Sequence, residues 1–284
     1  MNTAVITSDD ALQKKFSALK DFLRPKLKEG LIVAFSGGVD STFLLWTAEQ
    51  ERLASGGKLV ALTTSSASFS QAERDDAEHF IKTHNIEHIW KESEELANPQ
   101  YTINDSNRCY HCKTELFRIC SELSQELNFK WIAYGYNADD RSDFRPGHKA
   151  ALENQILSPL NDAQLSKEEI RSLMRLLGLE IADKPASPCL SSRLMTGVFV
   201  TPQKLKDVED FEKILRNGGL KIFRVRLHEE GKKKFLRLEI APDEMQLAIE
   251  LREELVKESR SRGYQWITLD LAGYKTGGAN LIER

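Results

Sequence analysis

Two short strings in this chain carry residue types that do chemistry. Ser36-Gly37-Gly38-Val39-Asp40-Ser41-Thr42 follows the apolar run Leu31 to Phe35 and opens a helical stretch. The paired glycines let the backbone turn tightly and bare its N–H groups. The helix start behind them adds partial positive charge, so the string is built to hold an anion such as a phosphate. Ser36, Ser41 and Thr42 supply further donors, and Asp40 is placed to hold a magnesium ion carrying the phosphates. The lysine that ends a Walker-type loop is missing, as is a G-x-G-x-x-G dinucleotide fingerprint. Thr63 and Gly135, at the ends of two further strands, are assigned to the same nucleotide site.

The second string, Cys109-Tyr110-His111-Cys112, is a C-x-x-C at a helix start, where both sulfurs reach one centre and the helix N-terminus favours thiolates. Cys189 lies far along the chain between Pro188 and Leu190. Loops at the carboxyl ends of a doubly wound sheet meet at one edge, which gives the third thiol a route to the pair. Three uses compete: structural zinc with a histidine such as His111 as fourth ligand, a redox pair, and an iron–sulfur cluster on three cysteines with one iron open. The redox reading lacks its small fold here. Cys120, inside the helix, reads as packed core.

The elements that must position these residues alternate between strand and helix. An amphipathic lead-in helix runs from Asp9 to Lys28 with a kink or break expected at Pro25, followed by strands at Leu31 to Phe35, Leu59 to Thr63, Ile86 to Trp90 and Trp131 to Tyr134. Helices lie between them, one opened by the capping box Ser70 and Glu73, and a second box at Ser166 and Glu169 opens a helix ending at Gly178. Gly135 to Ser158 and Asp183 to Arg193 read as irregular. The predicted fold is α/β, a doubly wound parallel sheet over residues 1–195, with a smaller α-β-β-α-β domain of α+β type over 196–284. That second domain holds a helix from Thr201-Pro202 to Asn217-Gly218-Gly219, a hairpin of Ile222 to Leu227 with Phe235 to Ile240, a helix from Pro242 to Arg262 and a last strand at Trp266 to Leu271.

With 40 Lys+Arg against 43 Asp+Glu the formal net charge is −3, which speaks against a protein that wraps nucleic acid. No run approaches the roughly 20 apolar residues of a membrane span. Met1 to Asp10 has no basic start followed by an apolar stretch, so no secretory signal is expected, and four cysteines in 284 residues make no disulfide scaffold. A cytoplasmic protein with reduced thiols is the expectation.

The S-G-G-x-D-S string in its strand–loop–helix setting resembles the PP-loop of the ATP pyrophosphatase superfamily. Its members cleave ATP between the α- and β-phosphates and transfer AMP to a substrate oxygen; NAD synthases, GMP synthetases and tRNA-thiolating enzymes share the loop. With the Asn107 to Lys113 run, Gly135-Tyr136-Asn137-Ala138-Asp139-Asp140, Arg145-Pro146-Gly147, Ser187-Pro188-Cys189-Leu190-Ser191-Ser192-Arg193 and the tail from Arg224 to Asn280, the chain resembles the LarE family over nearly its whole length. The resemblance implies ATP-dependent sulfur insertion in nickel-pincer nucleotide biosynthesis. A carboxylate of pyridinium-3,5-biscarboxylic acid mononucleotide is adenylated and its oxygen replaced by sulfur that the cysteine matching Cys189 supplies or holds. It also implies ATP, Mg2+ and, because Cys109, Cys112 and Cys189 are all present, a 4Fe-4S cluster on those three. One branch of the family instead sacrifices the single cysteine, leaving dehydroalanine. A homo-oligomer is implied too. The competing readings are a tRNA thiolase, against which neutral charge and the lack of an RNA-binding domain count, and a non-catalytic nucleotide sensor with structural zinc.

Arg224 and Arg226, at i and i+2 on a strand, share one face. Paired guanidinium groups suit a phosphate or carboxylate, while a solvated strand face is the plain alternative. The resemblance tips them to substrate binding, adds Arg193, and matches Glu212 and Glu239 to acidic positions around a metal near the substrate. Lys82, Lys91, Lys232 to Lys234, Glu92, Glu94 and Glu95 read as solvated charge, His79, His84 and His88 as surface imidazoles, and Trp90, Trp131 and Trp266 as core.

Overall fold

The computed structural model describes residues 9–142, 146–185 and 187–275. Arg145, the Gly277 to Asn280 end and most of the leading segment lie outside the described residues. In chain order the elements are α1 (Asp10–Glu29), β1 (Leu31–Ala34), α2 (Val39–Ser55), β2 (Leu59–Ser65), α3 (Gln71–His84), β3 (His88–Glu92), α4 (Pro99–Thr102), α5 (Arg108–Leu127) and β4 (Trp131–Tyr134). Next come α6 (Pro146–Glu153), α7 (Pro159–Asp162), α8 (Lys167–Leu176), a 3-10 turn at Leu190–Arg193, α9 (Pro202–Asn217), β5 (Phe223–Glu230), β6 (Lys233–Ile240), α10 (Met245–Glu250), α11 (Arg252–Ser261) and β7 (Trp266–Leu269). Among the described residues no helix is long and apolar enough to cross a membrane.

Two compact units result. The first takes residues up to Ser66, Gln71–Ser93 and Cys109–Ser187; the second takes Ala67–Ser70, Glu94–Arg108 and the chain from Pro188 on. The expected division at 195/196 therefore falls inside the second unit, which also recruits two segments from the first half of the chain.

In the first unit all four strands are parallel, in the order β3-β2-β1-β4. Leu31 and Val33 of β1 and Leu59 and Ala61 of β2 join a core with Phe16, Leu19 and Leu23 of α1 and Phe43 and Leu44 of α2. The alternate residues Ile32, Ala34, Val60 and Leu62 join a second core with Phe117, Cys120 and Leu123 of α5 and Ala150 and Ala151 of α6. Helices on both faces explain why these strands are apolar without interruption.

Helix α1 runs unbroken through Pro25, so the expected break is absent. Pro25 removes one hydrogen bond, but Phe16, Leu19, Leu23 and Leu27 on either side are wholly buried, and that burial keeps the helix continuous. The stretch read as irregular, Gly135 to Ser158, contains α6, too short to show a helical period, and Leu157 bridges back to Ala133. The capping box at α8 is formed: Ser166 Oγ accepts from the Glu169 N–H and Glu169 accepts from the Ser166 N–H. Ser166→Ala should cost about 1 kcal/mol. Chemical unfolding would register this, and an unchanged midpoint would show the box contributes nothing.

In the second unit β6 is central, antiparallel to β5 and parallel to β7. Helix α9 packs on β5 and α11 on β7. The single helix expected over Pro242 to Arg262 is divided at Leu251, whose side chain lies where a Cβ on Gly218 would come within 2.4 Å. Trp266, expected in the core, is 53% exposed because it lies on an edge strand.

Candidate active site

The strand order places β1 between β2 and β4, so the connections leaving β1 and β4 run to opposite faces of the sheet. Such a point opens a crevice at the carboxyl ends of the strands. The Ser36–Thr42 loop leaves β1 there and Gly135 leaves β4. A Cβ on Gly135 would lie 2.6 Å from the Ser41 nitrogen and 2.9 Å from the Asp40 carbonyl carbon, so its bare backbone lets the start of α2 seat against β4. Gly135→Ala must push the loop aside. A loss of about 1–3 kcal/mol in stability, together with weakened nucleotide binding, is expected from unfolding and titration; unaltered binding would refute the close-approach role.

Within the loop, Gly37 takes φ +67°, a left-handed conformation that favours glycine. Ser41 Oγ donates to the Gly38 carbonyl at 3.0 Å, accepts from the Ser36 N–H at 3.3 Å and lies 3.1 Å from Ser36 Oγ. Helix α2 begins behind Gly38 with no side-chain cap. Asp40 Oδ1 and Thr42 Oγ1 are buried and, among the described residues, meet no hydrogen-bond partner. Buried polar atoms cost free energy unless paired, so this donor–acceptor set fits a phosphate with its cation.

Two lysines that the sequence reading did not single out reach the loop. Lys167, first residue of α8, pairs with Asp40 Oδ2 at 2.6 Å, and Lys184 donates to the Gly37 carbonyl at 3.0 Å while pairing with Asp76 at 2.7 Å. They stand 127 and 147 residues away from their loop partners. No local pattern could have revealed them.

Thr63 is buried and its hydroxyl donates to the Phe35 carbonyl at 2.8 Å, lying also 2.9 Å from His88 Nε2, so its contacts brace the end of β1. His88 is therefore no surface imidazole. It sits against Phe35 and Trp90, and burial pushes its pKa down to about 4. Because the folded value lies below the ordinary 6.5, the neutral ring's stabilising contribution is complete above about pH 6.5. It is lost as pH falls from there toward 4. Thermal unfolding between pH 7 and 4.5 should show a decline of about 1–2 kcal/mol that His88→Gln reduces; an identical slope in the variant would exclude His88 as the source.

Helix α5 starts at Arg108, which places exposed Cys109 and half-buried Cys112 one turn apart at its N-terminus. Gly147 at the start of α6 packs there: a Cβ would meet the Cys109 carbonyl oxygen at 3.3 Å. Cys120 is core as expected, and burial pushes its thiol up to about 12.

In the second unit half-buried Cys189 precedes the turn Leu190–Arg193. Its carbonyl accepts from the Ser192 N–H at 2.9 Å, Ser192 Oγ at 2.7 Å and Arg193 Nη1 at 3.0 Å. Arg193 is 3% exposed and its Nε donates to Glu212 at 3.0 Å. The segments recruited from the first half clamp the same turn. The Leu190 N–H donates to the Ser68 carbonyl at 2.8 Å, Arg108 donates to the Ser191 carbonyl at 2.7 Å, and Tyr101 Oη lies 2.6 Å from Ser191 Oγ. Glu95, read as solvated, is buried and accepts from Tyr101 and Ser68. Nothing in the sequence marked these partners.

Arg224 and Arg226 are both buried, which removes the solvated-face alternative. Arg226 donates to Glu239 at 3.0 Å and to the Ser192 carbonyl at 2.8 Å; Arg224 donates to Tyr274 Oη at 3.2 Å, and burial lowers its pKa. Glu212 and Glu239, which the resemblance matches to acidic positions around a metal, meet guanidinium groups in this structure. Glu212 faces Arg193 and the Val225 N–H, and Glu239 faces Arg226 and Arg237. Among the described residues no group of three or more His, Cys, Asp or Glu side chains gathers to hold a metal. The loop residues therefore fit a nucleotide phosphate; Cys109 and Cys112 belong to the first unit and Cys189 to the second.

No protein-family model matches the chain. Over 95% of its length it is 38% identical to uncharacterized protein slr1717 of Synechocystis sp., covering 98% of that protein. It is 28% identical over 93% of its length to pyridinium-3,5-bisthiocarboxylic acid mononucleotide synthase of Lactiplantibacillus plantarum, covering 91% of it. Uncharacterized protein MJ0830 of Methanocaldococcus jannaschii is likewise 28% identical over 93% of the chain, with 98% of that protein covered.

Proposed function

The chain belongs to one family with the Synechocystis protein, its likeness to the named synthase supports the LarE family and an enzyme of sulfur transfer in cofactor biosynthesis, and from this premise we propose an ATP-dependent sulfurtransferase. Its substrate is a small pyridinium mononucleotide bearing a carboxylate. The observation that carries the reading is the loop at the β1–β4 switch point, with Asp40 Oδ1 and Thr42 Oγ1 buried and unsatisfied.

A carboxylate resists substitution because oxide is a hopeless leaving group. Attack of a carboxylate oxygen on the α-phosphorus of ATP, with loss of pyrophosphate, turns that oxygen into part of an AMP leaving group. The amides at the start of α2, with the Ser36 and Thr42 hydroxyls, stabilise the phosphate charge, and a magnesium ion at Asp40 would neutralise more of it. A thiolate then attacks the activated carbonyl and AMP departs; where that thiolate is Cys189 itself, loss of its α-proton must then break the Cβ–S bond, freeing the substrate thiocarboxylate and leaving dehydroalanine. Cys189 is the sulfur-bearing residue, held by a carbonyl with three donors, and Arg193, Arg224 and Arg226 are the cationic groups of that unit suited to the anionic substrate.

The test is incubation of the protein with ATP and, separately, the pyridinium biscarboxylate mononucleotide or tRNA. AMP and pyrophosphate formed with the pyridinium compound, and sulfur found in it, support the reading; sulfur appearing in tRNA alone overturns it. Anaerobic iron and sulfide analysis decides the 4Fe-4S proposal for Cys109, Cys112 and Cys189. Loss of hydrogen sulfide from the protein mass after one turnover marks the sacrificial route.

A further inference from the structure

The anion-binding loop carries a carboxylate of its own. Asp40 sits in the first turn of α2, where a bound triphosphate would bring its charge, and two like charges in a low-dielectric crevice repel strongly. The loop has no lysine of its own to offset this. We propose that Lys167 is the charge-balancing cation of the nucleotide site: it neutralises Asp40 while no metal is bound and yields that role to the metal when one arrives.

The placement of Lys167 is built rather than incidental. Its backbone N–H donates to Asp139 Oδ2 at 2.8 Å, fixing the first residue of α8 to the segment that follows Gly135. The adjacent capping box holds Ser166 and Glu169, and Glu169 is tied to Lys15 of α1 at 2.7 Å. The ammonium reaches Asp40 Oδ2 at 2.6 Å and leaves Oδ1 buried and unpartnered. Lys167 is 34% exposed at its side chain and Asp40 18%, so the pair borders solvent and the lysine keeps freedom to move. Lys184 does a different task, since its contacts to the Gly37 carbonyl and Asp76 brace the backbone of the loop. The inference rests on reading the loop as a nucleotide site and adds to that reading which side chain balances its charge.

Isothermal titration of the full chain with ATP, in EDTA and in excess Mg2+, tests it. Lys167→Met should weaken metal-free binding roughly tenfold or more, with a much smaller loss in Mg2+, because the metal then takes over neutralisation of Asp40. Lys167→Arg should retain most of the affinity. Asp40→Asn in the Lys167→Met background should recover metal-free binding, since the repelling charge is gone. Asp40→Asn alone, which releases the ammonium, should tighten metal-free binding severalfold, and this arm does not depend on how any lysine variant folds. Equal weakening with and without Mg2+, or no recovery in the double variant, would mean that Lys167 only holds α8 in place, and the proposal fails. Metal-free binding by Lys167→Met within about twofold of the parent also overturns it. If the parent chain binds ATP under neither condition, the nucleotide reading itself falls, which is a distinguishable result.

Discussion

Cys189→Ala is expected to abolish sulfur transfer, by at least about a thousandfold, while pyrophosphate release from ATP continues within about threefold. In the proposed reaction the two halves of the chemistry separate because they use different groups. Activation of the carboxylate needs the loop, its hydroxyls and Asp40, all in the first unit. Delivery of sulfur needs a thiol, and Cys189 belongs to the second unit, on a turn fixed by Arg193, Ser192 and the Ser68 carbonyl. The side chain is half-buried and small, so its truncation should change stability by no more than about 0.5 kcal/mol, and lost transfer then reports chemistry rather than unfolding. Cys189→Ser, which keeps size and polarity but not sulfur, should behave the same way. Normal transfer by either variant would remove Cys189 from the mechanism. Loss of pyrophosphate release along with transfer would mean that the turn shapes the adenylating site instead.

Glu239→Ala should destabilise the protein by about 3–5 kcal/mol, the largest stability effect anticipated for a single change. In the β5–β6 register Arg226 stands directly opposite Arg237, an arrangement of like charges that is unfavourable on its own. Glu239 resolves it: one carboxylate oxygen accepts from Arg226 and the other pairs with Arg237, each at 3.0 Å. Glu239 and Arg226 are 2% and 3% exposed, so water does little to screen the charges left behind. Glu239→Gln preserves some hydrogen bonding and should cost less, and replacing Arg226 and Glu239 together by Met and Leu should recover much of the loss. Urea unfolding measures all three. A Glu239→Ala variant within about 1 kcal/mol of the parent would show that Asp270, which also pairs with Arg237, already suffices.

By itself the sequence determined the features whose causes are local. The apolar run of β1, the glycines and hydroxyls of the loop, the capping box of α8 and the Thr201-Pro202 start of α9 follow from neighbouring residues alone, because periodicity, caps and turn chemistry act over one or two turns. The likeness between Cys109, Cys112, Cys189 and a known family was legible for the same reason, as strings of adjacent residues. Tertiary structure decided everything that depends on charge being taken out of water. Whether Arg224 and Arg226 meet solvent, which arginines Glu212 and Glu239 face, and whether Glu95 and His88 are exposed turn on what packs over them, and burial is a property of distant segments. So too with Pro25, through which a buried stripe keeps α1 continuous, and with Lys167, which finds Asp40 only because α8 is pinned beside the loop. Electrostatic partners are chosen by proximity in a low-dielectric interior, and no spacing rule along the chain encodes that proximity.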